Sequence, residues 1–202
     1  MTKYLITASL YNAYAYYALT DFEQYGEKAD EIEAKARQDF LDTLNKVKKE
    51  PSEAMLKGIE FENAVYANMN GEDIKFENAK EVAAIIKSGF VQEKLCFTID
   101  DYVFYGIADV VRIKDIIDIK RVSKYECPKY DKSIQHLLYL EAFPIENFTY
   151  LISDGSNLYE EYYHKDLDNR QKLLSKTNNM VGFIRQTPEF NEAFEKNWHS
   201  QY

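Results

Sequence analysis

A chain of 202 residues, 46% hydrophobic and 29% charged, is long enough to bury one proper core and too short for several. Seven Gly and four Pro exclude long flexible linkers, and no stretch nears the roughly 18 uninterrupted apolar residues that a membrane span needs. A net charge of -9 argues against a general nucleic-acid coat protein, although a phosphate-facing surface needs only local basicity.

The first seven residues lack the apolar stretch and cleavage site of a signal peptide, so the expected location is the cytoplasm, with no membrane partner. Cys96 and Cys127 suit a reducing compartment and are too few for a cysteine-only zinc or iron–sulfur site; Cys127, before Pro128 in a loop, could be exposed, although buried, inert thiols are the commoner case.

In chain order, Thr7 or Ser9 caps a first helix carrying Leu10, Tyr14, Tyr17 and Leu19 at helical spacing. Residues 27–50 read as an amphipathic helix with Ile32, Ala36, Phe40, Leu44 and Val47 along one stripe. Ser52 caps a third helix bearing Met55, Ile59, Glu62, Val65 and Tyr66, which stops at Asn70-Gly71. A shorter helix over 79–87 ends at Ser88-Gly89.

The periodicity then changes from helical to alternating. Val91, Leu95, Phe97 and Ile99 form a strand, Asp100-Asp101 turns it, and 102–113 returns as a second strand. Ile116, Ile117 and Ile119 make a third strand after a turn at Lys114-Asp115. Residues 131–143 resume helical spacing with Ile134, Leu137, Leu138 and Leu140; 147–152 and 158–163 are two more strands about Asp154-Gly155. Helix dominates 166–202, with a break at Thr187-Pro188. The expected fold is therefore α/β: a single domain over 1–202 with a small central mixed sheet flanked by helices. Its parts are a helical 1–89, a core 90–165 and C-terminal helices 166–202.

Within that frame, Asp118-Ile119-Lys120 sets a carboxylate and an ammonium two apart on a strand, so both project to one face. That pairing suits phosphodiester hydrolysis, in which an acid holds a hard cation and a lysine steadies water and growing charge. Alone it is a chance motif, and a surface ion pair explains it equally well. Asp109, nine residues upstream, interrupts an apolar strand one hairpin turn earlier, and antiparallel pairing about Lys114 would set it beside Asp118. Two adjacent carboxylates imply a cation between them or a strongly raised pKa. Downstream, Gln135 and Tyr139 are one helical turn apart on a shared face. The only clear basic bias lies over 112–132, with seven Lys or Arg against four Asp or Glu, and includes Arg121 and Lys124.

Gly106-Ile107-Ala108-Asp109, Asp118-Ile119-Lys120 and Gln135-His136-Leu137-Leu138-Tyr139 together resemble the Gly-x-x-Asp, (Asp/Glu)-x-Lys, Gln-x-x-x-Tyr series of the PD-(D/E)XK nucleases, in their RecB-like and lambda-exonuclease-like branch. Gly58-Ile59-Glu60-Phe61-Glu62 is similar to that branch's Gly-x-x-x-Glu helix motif, and residues 5–9 before a tyrosine-rich helix to its N-terminal element; the likeness runs from about residue 5 to about 165. Many RecB-type domains carry His where Glu62 stands, and Glu60, two residues away, should face elsewhere.

The resemblance implies a restriction-endonuclease-like core and a DNA nuclease, an exonuclease before an endonuclease, in recombination, repair or phage DNA processing. It implies Glu62, Asp109, Asp118 and the Ile119 carbonyl as ligands of Mg2+ or Mn2+. Lys120 would orient water, Gln135 would hold the lysine or the scissile phosphate, and Arg121, Lys124 and Tyr139 would meet DNA, unless Tyr139 packs beneath the site. No iron–sulfur cluster is expected, since the cysteine clusters of the iron–sulfur exonucleases are absent. No ATP-binding motif is present, so unwinding would fall to a helicase or recombinase partner, and a homo-oligomer is an expectation by analogy. The rival reading is a non-catalytic nucleic-acid- or protein-binding protein on the same fold, inhibitory or structural, and an RNA substrate is a third. His136, His164 and His199 show no ligand spacing and read as surface or structural; Tyr125 and Tyr130, among lysines, are the two tyrosines set aside as base-stacking candidates.

Overall fold

The computed structural model describes residues 3–200. It runs β1 (Tyr4–Thr7), α1 (Ala8–Ala18), a 3-10 segment (Phe22–Lys28), α2 (Ala29–Leu44), α3 (Glu53–Met69) and α4 (Ala79–Ile86). Then follow β2 (Phe90–Ile99), β3 (Tyr102–Val111), β4 (Asp115–Arg121), α5 (Gln135–Ala142), β5 (Asn147–Ser153), β6 (Leu158–His164), α6 (Asn169–Gln186) and α7 (Pro188–Asn197). The expected helical reading of 201–202 lies outside the described residues. No helix among those described is long and apolar enough to cross a membrane.

The six strands form one mixed sheet in the order β1-β3-β4-β5-β6, with β2 beside β3. The β2–β3, β3–β4 and β5–β6 pairs are antiparallel, while β1–β3 and β4–β5 are parallel. A parallel pair needs a crossover, and α5 lies within the link from β4 to β5. Two apolar layers result: Phe61, Val65, Val82 and Ile86 of α3 and α4 pack on Val110, Ile117, Ile119 and Leu151, and a larger layer joins α1, α2, α5, α6 and α7 to Phe104, Ala108, Ile116, Phe148 and Tyr150. Alternate residues of β4 thus serve opposite layers, the period-two logic of a buried strand.

The caps match the chemistry of their residues. Thr7 accepts from Leu10 N–H at 3.1 Å and Ser52 from Met55 N–H at 3.2 Å, each satisfying one of a helix's orphan donors. Several boundaries differ from expectation for tertiary reasons. The helix expected over 27–50 starts after Gly26, whose φ of +57 breaks it, and ends at Leu44, leaving Val47 52% exposed. The Leu44 carbonyl is taken by Trp198 Nε1 at 2.9 Å and Asn197 Nδ2 at 3.2 Å, so the C-terminal helix closes this end. On α3 the buried side is Phe61, Ala64 and Val65, which pack in the layer with Val110, Ile117 and Leu151, while Met55 and Ile59 are exposed. Leu19 is exposed too. The helix expected over 131–143 begins only at Gln135, because 122–134 form a loop. Both cysteines are exposed rather than buried.

His136 lies on α5 against β5 and β6, its ring stacked on Tyr163 at 4.0 Å. Burial first, then the Lys176 charge, push its pKa down to about 3. The folded protein therefore keeps His136 neutral where an unfolded chain would protonate it below about pH 6.5. Its contribution to stability is complete above that pH and declines as pH falls toward 3, at up to about 1.4 kcal/mol per pH unit. Between pH 7 and pH 5, the stability lost by a His136→Phe variant in denaturant unfolding should be smaller than the wild-type loss by about 2 kcal/mol; equal losses would mean that this histidine is protonated in the folded state.

Candidate active site

On one edge, β3 pairs with β2 along its length, from Ile99↔Tyr102 to Phe90↔Val111. On the other edge, β1 pairs as far as Thr7↔Tyr105 and β4 only at Val110↔Ile117 and Val111↔Ile116. Residues 106–109 therefore have no strand partner there, and side chains take the place of a ladder. The Tyr139 hydroxyl donates to Ile107 O at 2.6 Å, the Tyr66 hydroxyl lies 3.3 Å from Asp109 O, and Asp109 Oδ2 accepts from Ile119 N–H at 2.7 Å. Gly106 makes the first contact possible: a Cβ there would stand 2.8 Å from Tyr139 Cε1.

Continuing the β3–β4 register sets Asp109 opposite Asp118, as the hairpin reading expected, but the ladder parts before it reaches them. Asp118 is fully buried. Gln135 Nε2 donates to its Oδ1, and its Oδ2 faces the Lys120 ammonium as an ion pair and takes no other bond. Gln135 also donates to the Tyr139 hydroxyl at 3.3 Å. Glutamine thus bonds the acid, where the expected partner was the lysine or the scissile phosphate, and Tyr139 is buried, 3% exposed. Beside Lys120 a cleft of about 400 Å³ opens, lined by Thr7, Asn12, Tyr105, Gly106 and Gln135.

Electrostatics follow from this burial. Desolvation, then the Asp118 charge, hold the Asp109 carboxyl well above the usual carboxylate range, against the pull of Lys120 and the Ile119 N–H. Asp118 is raised mainly by burial, with Lys120 opposing and Glu62 adding to the rise. Burial alone would lower Lys120, but the charges of Asp118 and Asp109 overcome it and keep the ammonium protonated above its ordinary range. Glu62, Asp109 and Asp118 when ionised exceed Lys120 by two negative charges, which a divalent ion would balance, and an all-oxygen donor set suits Mg2+ or Mn2+. Among the described residues no three acid, histidine or cysteine side chains already enclose a metal. The fit is thus one of charge and donor chemistry, with Glu62 facing its own partners.

Those partners had not been anticipated. Glu62 Oε1 accepts from the Tyr66 hydroxyl at 2.6 Å and from Gln92 Nε2 at 2.6 Å, and Gln92 also donates to the Tyr66 oxygen at 2.9 Å. Tyr66, one turn after Glu62 on α3, is placed by its spacing on that helix and given no role by it; nothing in the chain's pattern marks Gln92. Its φ is +55 at the third residue of β2, a conformation that costs a non-glycine residue about 1–2 kcal/mol. Gln92 stands opposite Asp109 in the register, at the position missing between the Val91↔Val110 and Glu93↔Ala108 pairs. There the strand alternation slips: Ala108 belongs to the α5-side layer and Val110 to the α3-side layer.

The loop 122–134 is pinned by Glu161 of β6, which accepts from Lys129 N–H at 2.7 Å, Tyr130 N–H at 3.2 Å, and the hydroxyls of Tyr125 at 2.9 Å and Tyr163 at 2.8 Å. Burial works to raise this acid, but the four bonds win and leave its pKa below the usual range. Tyr130 stacks on Tyr150 at 4.5 Å, with Lys120 Nζ 5.9 Å over the Tyr150 ring. Tyr125 and Tyr130, expected as base-stacking candidates, are packed parts of this loop. Of the expected DNA contacts, Arg121 is paired with Glu77 at 2.6 Å and only 16% exposed, whereas Lys124 is exposed beside Glu126.

No family model matches the chain, and no curated protein matches it. It is similar in structure to the protein SSO0001, with a TM-score of 0.51 and 15% identity over 90% of this chain and 77% of that one. It is also similar to a candidate exonuclease from Eubacterium rectale, with a TM-score of 0.52 and 16% identity over 94% of this chain and 82% of that one. The alkaline exonuclease of Laribacter hongkongensis aligns over 95% of this chain and 92% of its own, at 13% identity and a TM-score of 0.49. The first two share this fold; at such identities the likeness is one of architecture.

Two substitutions probe the geometry. Gly106→Ala should destabilise the protein by about 1–3 kcal/mol, because the new methyl meets a buried ring that cannot yield; unchanged stability in denaturant unfolding would show that Tyr139 can move aside. Asp109→Asn keeps an acceptor for Ile119 N–H while removing a desolvated charge, so in EDTA its thermal midpoint should rise by a few degrees. A lower midpoint would mean that the charge is stabilised in place.

Proposed function

We propose that the chain is a metal-dependent nuclease that hydrolyses DNA phosphodiesters from strand ends with Mg2+ or Mn2+. The observation that carries this reading is the meeting, at one gap in the β3 ladder, of a fully buried acid, a half-buried one, a lysine kept protonated by them and a glutamine. A surface ion pair would not need full burial of Asp118 or a second acid opposite it. The fold shared with the candidate exonuclease of E. rectale supports the reading.

In this proposal Glu62, Asp109, Asp118 and the Ile119 carbonyl hold the ion. A bound Mg2+ or Mn2+ supplies Lewis-acid polarisation of the phosphate and a more acidic water. Lys120, in the wall of the cleft, directs the attacking water and stabilises the charge that grows on the phosphate oxygens. Gln135 fixes the rotamer of Asp118, with Tyr139 behind it. Lys124 and Arg121 would each reach a phosphate only by leaving an acid, Glu126 and Glu77 in turn, and Lys124 is the more exposed of the two. End recognition is favoured because the fold carries no evident module for reading base edges.

End-labelled linear and closed circular DNA, incubated with Mg2+, Mn2+ or EDTA, provide the test. Linear DNA alone should be degraded, only with metal, and Lys120→Ala should cut at least about a hundredfold more slowly while retaining its fold. Asp118→Ala should lose both cleavage and any stabilisation by metal. Wild-type rates in Lys120→Ala would refute the site, and no cleavage by the wild type would favour a non-catalytic binding protein.

A further inference from the structure

We propose that Gln92 is a positioning residue of this site: from a left-handed backbone it clamps, together with Tyr66, the Glu62 carboxylate at the gap between β3 and β4. The inference rests on the proposed function, since it concerns Glu62 as a cation ligand. Two independent observations carry it. The first is conformational: Gln92 has φ +55 inside a ten-residue strand, where neither a turn nor a glycine accounts for it. Sparsely populated backbone of this kind persists only where surroundings over-determine it, and such residues cluster at functional sites. The second is the destination of the side chain. A carboxylate only accepts, so the amide must present its nitrogen, and that nitrogen reaches Glu62 Oε1 at 2.6 Å and the Tyr66 oxygen at 2.9 Å.

The three groups close a triangle, because the Tyr66 hydroxyl donates to the same Glu62 oxygen at 2.6 Å. Two donors fixed on Oε1 hold the carboxylate in one rotamer and leave Oε2 as the oxygen for a cation. A half-buried glutamate without such partners would lose side-chain freedom when it ligates, so a clamp that orders it beforehand strengthens binding. Gln92 also stands opposite Asp109 in the β2–β3 register, so the residue that orients Glu62 lies across the strand from a second acid of the site.

Glycine separates the two roles, since it accepts φ +55 without strain and removes the amide. Thermal unfolding of wild type, Gln92→Gly and Gln92→Asn would be followed in EDTA and across a Mn2+ titration, beside cleavage of linear DNA. Gln92→Gly should melt at or above the wild type in EDTA, yet need about tenfold more Mn2+ for half of the stabilisation and for half-maximal cleavage. Gln92→Asn, whose shorter amide cannot span to Glu62, should behave likewise. In a Glu62→Gln background, removing the Gln92 amide should add no further loss. Wild-type Mn2+ dependence in Gln92→Gly would overturn the proposal and leave the proposed nuclease standing, as would tighter Mn2+ binding, which would make the clamp a restraint. A wild type that neither responds to Mn2+ nor cuts would overturn both.

Discussion

A buried peptide group must find a hydrogen-bond partner, and β3 leaves four residues, 106–109, with no strand beside one of their edges. The rest of the site follows from how that demand is met. Tyr139 reaches up to Ile107 O, Tyr66 lies against Asp109 O, and the Asp109 carboxylate takes the Ile119 N–H. Groups from α3 and α5, helices packed into different layers of the structure, thus arrive at the same break in the sheet. A continuous ladder would have kept these elements apart.

The same break explains why the charges are arranged at some expense of stability. Asp109 and Asp118 are both desolvated and both raised, with one lysine to neutralise them. A core built for stability alone would place apolar residues here, since a buried ion pair seldom repays its desolvation. Desolvated acids with raised pKa values, beside a lysine that lines a cleft, are more often functional than structural. The left-handed Gln92 belongs to the same pattern, a local strain maintained where geometry matters.

Outside the gap the architecture is ordinary and holds the site rigid. Two apolar layers clamp β4 from both faces, so Asp118 and Lys120 project from a strand that cannot shift. Glu161 does for the loop 122–134 what a sheet does for a strand, giving its backbone amides fixed acceptors. Part of the chain's basic stretch is held in this way, and Arg112, Lys120, Arg121 and Lys124 within 112–132 are each paired with an acid.

What the residues determined by themselves was local and periodic. Alternation fixed the β2–β3 hairpin and set Asp109 opposite Asp118; Thr7 and Ser52 marked helix starts; the i, i+4 spacing of Gln135 and Tyr139 placed them on one face. These features depend on neighbours within a few residues, so composition and spacing suffice to read them. The tertiary structure alone decided the rest. Gln92 meets Glu62 across 30 residues only because α3 lies over the sheet, and no residue type announces a left-handed φ in a glutamine. Arg121 faces Glu77, His136 is buried against Tyr163, and α2 stops where Trp198 closes it, each through a contact between elements distant in the chain. Such pairings depend on where packing brings two surfaces together, and periodicity within one segment carries no information about the other.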